Sequence, residues 1–218
     1  TAASVTANNG NNVLLTPVSG VTNLTDGGAA STSYTGDIWL RFTALKGGNG
    51  VANIKLQDDG TSNSSFALRF GTISGDSTAA RTNWSAQLGA SGTAAGTAGA
   101  ITAFTPTTVF AADTPSYILI KIDYNTGTAT DVGTIWRFSS AFDLDNFNTS
   151  AAASWTATGA LEFDAIQAYA AAGTTLTLSD IRIGTSFAAV PEPSTYALLF
   201  GAATLGFVGY RRFRKRQA

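Results

Sequence analysis

Short segments in which apolar and polar residues alternate are the feature that most constrains the fold of this chain. The apolar positions of the first three such segments are Ile38, Leu40, Phe42 and Ala44, then Ala52, Ile54 and Leu56, then Phe66, Leu68 and Phe70. A strand points successive side chains to opposite faces, so this spacing predicts half-buried strands. The segments are too short and too rich in β-branched and aromatic residues for helices. We predict that the three form a meander.

The second half of the chain repeats the pattern. Ile118, Ile120, Ile122 and Tyr124 share one face of a predicted strand, and Asn125-Thr126-Gly127 is a turn signal; Val132, Thr134, Trp136 and Phe138 form the partner strand. The segment Leu176–Ile183 changes phase between Leu178 and Ile181, which indicates a β-bulge. The composition of 89–100, almost entirely Gly, Ala, Ser and Thr, predicts a surface loop. The fold class is therefore all-β.

A membrane-targeting pattern ends the chain. The segment 190–195 contains Pro191, Glu192 and Pro193, the segment 196–210 is apolar, and the basic cluster that follows comprises Arg211, Arg212, Arg214, Lys215 and Arg216. Fifteen helical residues rise about 22 Å, so the apolar segment can cross a bilayer if its flanks dip into the interface. Positive charges stay on the cytoplasmic side. We predict a single-pass helix over 196–210, a cytoplasmic tail over 211–218 and residues 1–189 on the outer side of a bacterial membrane, in the periplasm or at the cell surface.

The tail resembles the PEP-CTERM sorting signal of Gram-negative bacteria, which combines a Pro-Glu-Pro motif, a transmembrane helix and a terminal Arg cluster. The resemblance implies that Pro191, Glu192 and Pro193 are recognised by a membrane protease of the exosortase type. It also implies that the basic cluster retains the C-terminus in the cytoplasm.

A second resemblance concerns the outer part. The segment 179–187 is similar to the last strand of concanavalin-like or laminin-G-like jelly rolls, and 117–124 resembles a central strand of that fold. The resemblance implies an antiparallel β-sandwich. We therefore predict a lead-in over 1–12, the sandwich over 13–189, and the sorting tail after it.

Missing residue types exclude whole classes of chemistry. The chain has no His, Cys or Met, so Ser-His-Asp and Cys-His catalysis, disulfides and imidazole- or thiolate-bound metals are excluded. Without an initiator Met, we expect that a leader segment preceded Thr1. The outer part carries 8 basic and 13 acidic residues, a net charge of 8 − 13 = −5, which argues against a nucleic-acid partner.

One acidic segment invites comparison with glycosidases. Laminarinase-like enzymes carry Glu-x-Asp-x-x-Glu on one strand, because a retaining mechanism needs two carboxyl groups about 5 Å apart. Here the segment 162–167 ends in Gln167, which cannot exchange a proton. We therefore expect no enzymatic activity.

Candidate ligand-binding residues remain. Asp143 and Asp145 lie in an Asp-Leu-Asp-Asn-Phe-Asn segment whose oxygen ligands suit Ca²⁺, although it lacks the glycine and distal glutamate of an EF-hand. Asp58 and Asp59 form a second such pair, and both pairs are also typical of plain turns. No other cofactor is expected. Aromatic platforms for sugars are Trp39, Trp84, Trp136 and Trp155, unless they belong to the core.

Two functions fit these features. The first is a non-enzymatic exported protein with a structural or binding role at the cell surface, with polysaccharide as the candidate ligand. The alternative is an accessory subunit of a membrane complex, such as a photosynthetic or other energy-converting assembly, whose tail helix stays uncleaved against neighbouring subunits.

Overall fold

Two antiparallel sheets dominate the computed structural model of the chain, which describes residues 5–8, 12–15, 36–57, 66–73, 82–89, 98–124, 131–159, 161, 163 and 165–187. The strands are β1 (Val5–Asn8), β2 (Asn12–Leu15), β3 (Gly36–Gly47), β4 (Ala52–Gln57), β5 (Leu68–Gly71), β6 (Ser85–Leu88), β7 (Thr102–Ala103), β8 (Ser116–Tyr124), β9 (Asp131–Phe138), β10 (Ala153–Gly159), β11 (Ala165–Ala170) and β12 (Thr175–Gly184). A short helix, α1 (Ala141–Asp145), and a 3₁₀ turn (Thr149–Ala151) connect β9 to β10.

Each sheet contains six strands. Sheet A has the order β1-β12-β3-β8-β9-β10, and sheet B has the order β2-β11-β4-β5-β6-β7. All neighbouring strands pair antiparallel. Because β1 to β4 alternate between the two sheets, the chain builds both layers at once. The predicted all-β, antiparallel sandwich is confirmed.

The alternating apolar residues meet between the sheets, where they form the core. Sheet A contributes Ile38, Leu40, Phe42, Ile118, Ile120 and Ile122, and sheet B contributes Ile54, Leu56, Leu68, Phe70, Ile166 and Ala168, all of them buried. The rings of Phe42 and Phe70 approach to 6.2 Å between centroids and so join the two layers. Burial of each large side chain stabilises the fold by about 1.5–3 kcal/mol.

The meander predicted from the first three alternating segments is wrong. β3 lies in sheet A between β12 and β8, whereas β4 and β5 are neighbours in sheet B. The alternation of apolar and polar residues determines which face of a strand is buried, but it does not determine which strand pairs with it. The turn at 48–51 carries the chain from one sheet to the other, with Gly48 at φ +79°.

The predicted hairpin and bulge are both present. β8 and β9 pair along their length, with Ile120 opposite Ile135, while the predicted turn at 125–127 lies outside the described residues. The register of β12 against β3 shifts between Ser179 and Arg182. Asp180, inside that shift, has φ +53°, the left-handed conformation of an extra residue in a bulged strand.

The segment 1–12 is not only a lead-in, because it contains β1, which extends sheet A alongside β12. Val5 pairs with Leu178 and Ala7 with Leu176, and Ala7 is fully buried. The sequence signal is weak because the alternation in Val5–Asn8 extends over only four residues and includes no large apolar side chain.

Other predicted segments fall partly or wholly outside the structure. Of the predicted loop over 89–100, residues 89 and 98–100 are described and lie in no strand or helix. The Pro-Glu-Pro motif, the apolar segment and the basic tail lie outside the described residues. Within the described ranges, no helix is both long and apolar enough to cross a bilayer.

Candidate functional site

An aromatic cluster packs on the outer face of sheet A. Trp39 on β3 and Trp136 on β9 stack with centroids 6.3 Å apart, and Phe147, from the loop after α1, packs edge-on against both rings. Phe187, the last described residue, lies 5.8 Å from Trp39 and 5.2 Å from Phe147. Trp39 and Trp136 are therefore packing residues.

The predicted calcium residues Asp143 and Asp145 lie on α1 rather than in an open loop. Asp145 Oδ1 accepts a hydrogen bond of 2.8 Å from Arg41 Nη2, and Asp143 Oδ1 accepts one of 3.0 Å from Asn148 Nδ2. Helix positions two apart point to different sides, so the two carboxylates do not face each other. Within the described ranges, no group of three or more carboxylates is close enough to hold a metal ion, and Asp58 and Asp59 lie outside those ranges.

A groove lies at one edge of the sandwich, where the last strands of the two sheets meet. β7 ends sheet B and β10 ends sheet A, and the chain beyond β7 joins them: Thr105 N donates to Ser154 O at 2.8 Å and Ser154 N donates to Thr105 O at 2.9 Å. The groove encloses about 540 Å³. That volume lies within the range of about 300–1,000 Å³ typical of small-molecule sites.

Residues that carry hydroxyl groups and one tryptophan line the groove. The described lining residues include Thr102, Thr105, Ser154, Trp155 and Thr156, and the others are Gly, Ala and Leu. The hydroxyl of Thr156 donates a hydrogen bond of 3.1 Å to Thr134 Oγ1. None of the described lining residues is charged. Such a lining suits an uncharged ligand that has both hydroxyls and an apolar face.

A row of long polar side chains crosses the outer face of sheet B; we call it the polar row. It consists of Gln167, Lys55, Arg69 and Gln87, which are register partners on β11, β4, β5 and β6. Lys55 is 8% exposed, Gln167 6% and Gln87 9%, so the row is largely removed from solvent. Two cations thus lie side by side in a desolvated setting.

Burial shifts the pKa of both cations in the polar row. Burial lowers the pKa of Lys55, and the charge of Arg69 lowers it further. Burial also lowers the pKa of Arg69. Both shifts have the sign expected when a cation loses water. The ring of Phe66 lies near both groups, 5.9 Å from Lys55 Nζ and 5.1 Å from Arg69 Cζ, and offsets part of that loss.

Of the residues in the glycosidase comparison, the structure describes Gln167. Gln167, which stands where those enzymes carry the second glutamate, lies on β11 opposite Lys55. Glu162 and Asp164 lie outside the described residues. The absence of enzymatic activity therefore remains a prediction.

The chain matches the PEP-CTERM protein-sorting motif over residues 189–215. This confirms the resemblance of the tail. The motif marks an exported protein with a membrane-anchored C-terminal region, and it implies processing by exosortase, a membrane protease. A search of curated proteins gave no match to the chain.

Similar solved structures are distant in sequence. Galectin LEC-6 of Caenorhabditis elegans is 11% identical with a TM-score of 0.39 and covers 82% of this chain and 95% of its own. Peanut lectin is 9% identical with a TM-score of 0.36 and covers 85% and 100%. An alginate lyase from Alteromonas sp. 272 is 6% identical with a TM-score of 0.39 and covers 69% and 72%.

Proposed function

We propose that this protein is a non-enzymatic saccharide-binding module, exported and held at the membrane by its PEP-CTERM tail. The observation that carries the proposal is the groove between β7 and β10, whose described lining combines Trp155 with the hydroxyl-bearing residues Thr102, Thr105 and Ser154 and includes no charged residue. A polysaccharide at the cell surface is the proposed ligand.

The chemistry of a sugar ring matches this lining. One face of a pyranose carries C–H groups that pack on an aromatic ring, while its hydroxyls need hydrogen-bond partners at the edge. Trp155 offers the ring, and Ser and Thr hydroxyls both donate and accept. A volume of about 540 Å³ accommodates one or two sugar units.

The groove also supports binding without turnover. Hydrolysis of a glycosidic bond commonly needs a carboxylic acid and a carboxylate on either side of the bond. The described lining residues include neither Asp nor Glu, and the chain contains no His or Cys that could act in their place.

Replacing Trp155 with Ala should weaken saccharide binding by about tenfold or more, because the sugar loses its stacking surface. Affinity electrophoresis of the detergent-solubilised full chain in gels that contain neutral polysaccharides measures this change in binding. Phe142→Ala is the matched control, because Phe142 is an aromatic residue that is 72% exposed and lies on α1, outside the groove lining.

Two results separate a binding defect from a folding defect. Trp155 packs partly against the core, so the circular dichroism spectrum and melting temperature of the variant must be compared with those of the wild type. Unchanged binding by a folded Trp155→Ala variant would refute the groove as the saccharide site.

We further propose that residues 1–189 face outward and that the basic tail is cytoplasmic. Protease added to intact spheroplasts should then digest the sandwich and leave a small C-terminal fragment, because the bilayer shields the tail. An immunoblot for tags at the two ends measures the outcome. Protection of the large domain would reverse the proposed orientation.

A further inference from the structure

We propose that the groove between β7 and β10 selects sugars that carry an acetamido group, and that the backbone amides of Ala103 and Thr156 bind this group. The inference rests on the saccharide-binding role proposed for the groove and names the class of sugar. In the complex, Thr156 N–H donates to the acetamido carbonyl, and the acetamido N–H donates to Ala103 O.

The edge of β10 presents an unpaired backbone amide to the groove. Backbone groups of consecutive strand residues point to opposite edges, and Ser154 faces away from β9 because its N–H and O both pair with Thr105. Thr156 and Thr158 face the same way, since the register of β10 against β9 is continuous. Thr156 is exposed and lines the groove, and its backbone N–H and O have no hydrogen-bond partner among the described residues.

The edge of β7 presents a matching amide. Ala103 is the register partner of Ser85 on β6, and the next residue, Phe104, donates its N–H to Trp84 O at 3.0 Å. The N–H and O of Ala103 therefore point away from β6. Ala103 is exposed and lines the groove, and in the part of the chain that the structure describes its backbone makes no hydrogen bond on that side.

These two amides occupy the positions at which the two edges would pair if they continued as one ladder. Thr105 and Ser154 form an antiparallel bridge, so Ala103 and Thr156 are the next pair with the same orientation. They make no such bond, and both line the groove of about 540 Å³. A ligand that displaces water from this gap must supply both a hydrogen-bond donor and an acceptor.

An acetamido group supplies both. A trans amide directs its N–H and its C=O in opposite directions, so one amide between the two edges accepts from one edge and donates to the other. A sugar ring that stacks on Trp155 places such a substituent beside the next residue, Thr156. The methyl group of the substituent suits the apolar part of the lining, which includes Leu88 and Ala157.

A peptide strand carries the same amides but fits the gap less well. Thr105 N donates to Ser154 O at 2.8 Å and Ser154 N donates to Thr105 O at 2.9 Å, so the two edges are in direct contact at one end of the groove. An extended chain needs a gap that is open at both ends, whereas a single acetamido group enters from the open end. The closed end therefore favours a sugar substituent.

The test compares two neutral trimers that differ only in this group. Triacetylchitotriose carries an acetamido group at C2 of each ring, where cellotriose carries a hydroxyl. Isothermal titration of the full chain, in a zwitterionic detergent without a sugar head group, measures both affinities. We expect triacetylchitotriose to bind about tenfold or more tightly, because it adds a hydrogen bond at each edge.

The possible results separate this inference from the proposed function. Equal binding of the two trimers would overturn the acetamido selectivity and leave saccharide binding by the groove intact. Binding of neither trimer would refute both. An N-acetylated alanine tripeptide amide should bind more weakly than triacetylchitotriose, and equal or tighter binding of this peptide would overturn the sugar as the ligand.

Amide hydrogen exchange followed by NMR locates the contact without any substitution. In the free protein, the Thr156 amide should exchange faster than that of Trp155, which pairs with β9. Triacetylchitotriose that fills about nine tenths of the sites should slow exchange at Thr156 by about tenfold. Unchanged exchange at Thr156 in the presence of bound triacetylchitotriose would refute Thr156 as the donor.

A proline substitution tests the same N–H. Thr156→Pro removes the N–H that faces the groove and no hydrogen bond to β9, and edge strands accept proline where the N–H faces solvent. The ratio of the two affinities should fall close to one. Thr158→Pro is the matched control and should keep the preference, because Thr158 has the same orientation on β10 and is not among the described lining residues. Retained preference in folded Thr156→Pro would refute the site, and so would its loss in folded Thr158→Pro; if Thr156→Pro does not fold, the exchange measurement on the wild type decides.

Discussion

Ending the chain after Ala189 should move nearly all of the protein from the membrane fraction to the soluble periplasmic or extracellular fraction. The deletion removes the apolar segment 196–210, whose larger side chains each favour the bilayer by a few tenths of a kcal/mol, and the five basic residues that hold the inner end. The remaining part has a net charge of −5 and no comparable attraction to an anionic membrane. Fractionation and immunoblotting measure the shift.

The matched control replaces Pro191 and Pro193 with Ala and leaves the apolar segment intact. If exosortase recognises the motif, this variant should accumulate as an unprocessed membrane protein of higher apparent mass. A permanently anchored subunit of a membrane complex would show no change on that substitution. Continued membrane attachment of the chain that ends at Ala189 would show instead that the sandwich itself holds a membrane partner.

The sequence predicts the strands of this fold better than their partners. The alternation in β3, β4 and β8 is strong because each strand buries one complete apolar face, and the bulge in β12 is visible as a change of phase. Pairing is set by the crossings between sheets, and these depend on contacts between residues far apart in the chain. For this reason the predicted meander is wrong, and β1, in which Ala7 is fully buried, lies in a segment whose sequence predicts only a lead-in.

The candidate sites were harder to predict than the fold. Trp155 is one of four candidate sugar platforms. The sequence around it does not distinguish it from Trp39 or Trp136, which pack against Phe147 in the loop after α1. The polar row becomes visible only when four strands are placed in register. One signal was present: Lys55 and Arg69 occupy the outward positions of strands whose inward positions are strongly apolar.

Replacing Trp84 with Ala should destabilise the sandwich by about 3–5 kcal/mol, the range for removing a large aromatic residue from a core. Trp84 is fully buried, its ring stacks on Phe110 at 4.1 Å, and it lies 5.9 Å from Phe104. These contacts pack the chain that follows β7 against the residue that precedes β6, inside the core. Urea unfolding of the full chain in detergent, followed by circular dichroism, measures the loss.

Trp84→Phe is the informative partner of that variant. The indole Nε1 of Trp84 is buried without a hydrogen-bond acceptor among the described residues, and an unsatisfied donor of this kind costs about 1–3 kcal/mol. Phenylalanine keeps an aromatic ring against Phe110 and removes the donor, so the two effects oppose each other. We expect Trp84→Phe to lose less than half of the stability that Trp84→Ala loses. Equal losses would mean that Nε1 has an acceptor, and that a polar contact of the indole, rather than its packing, stabilises this end of the core.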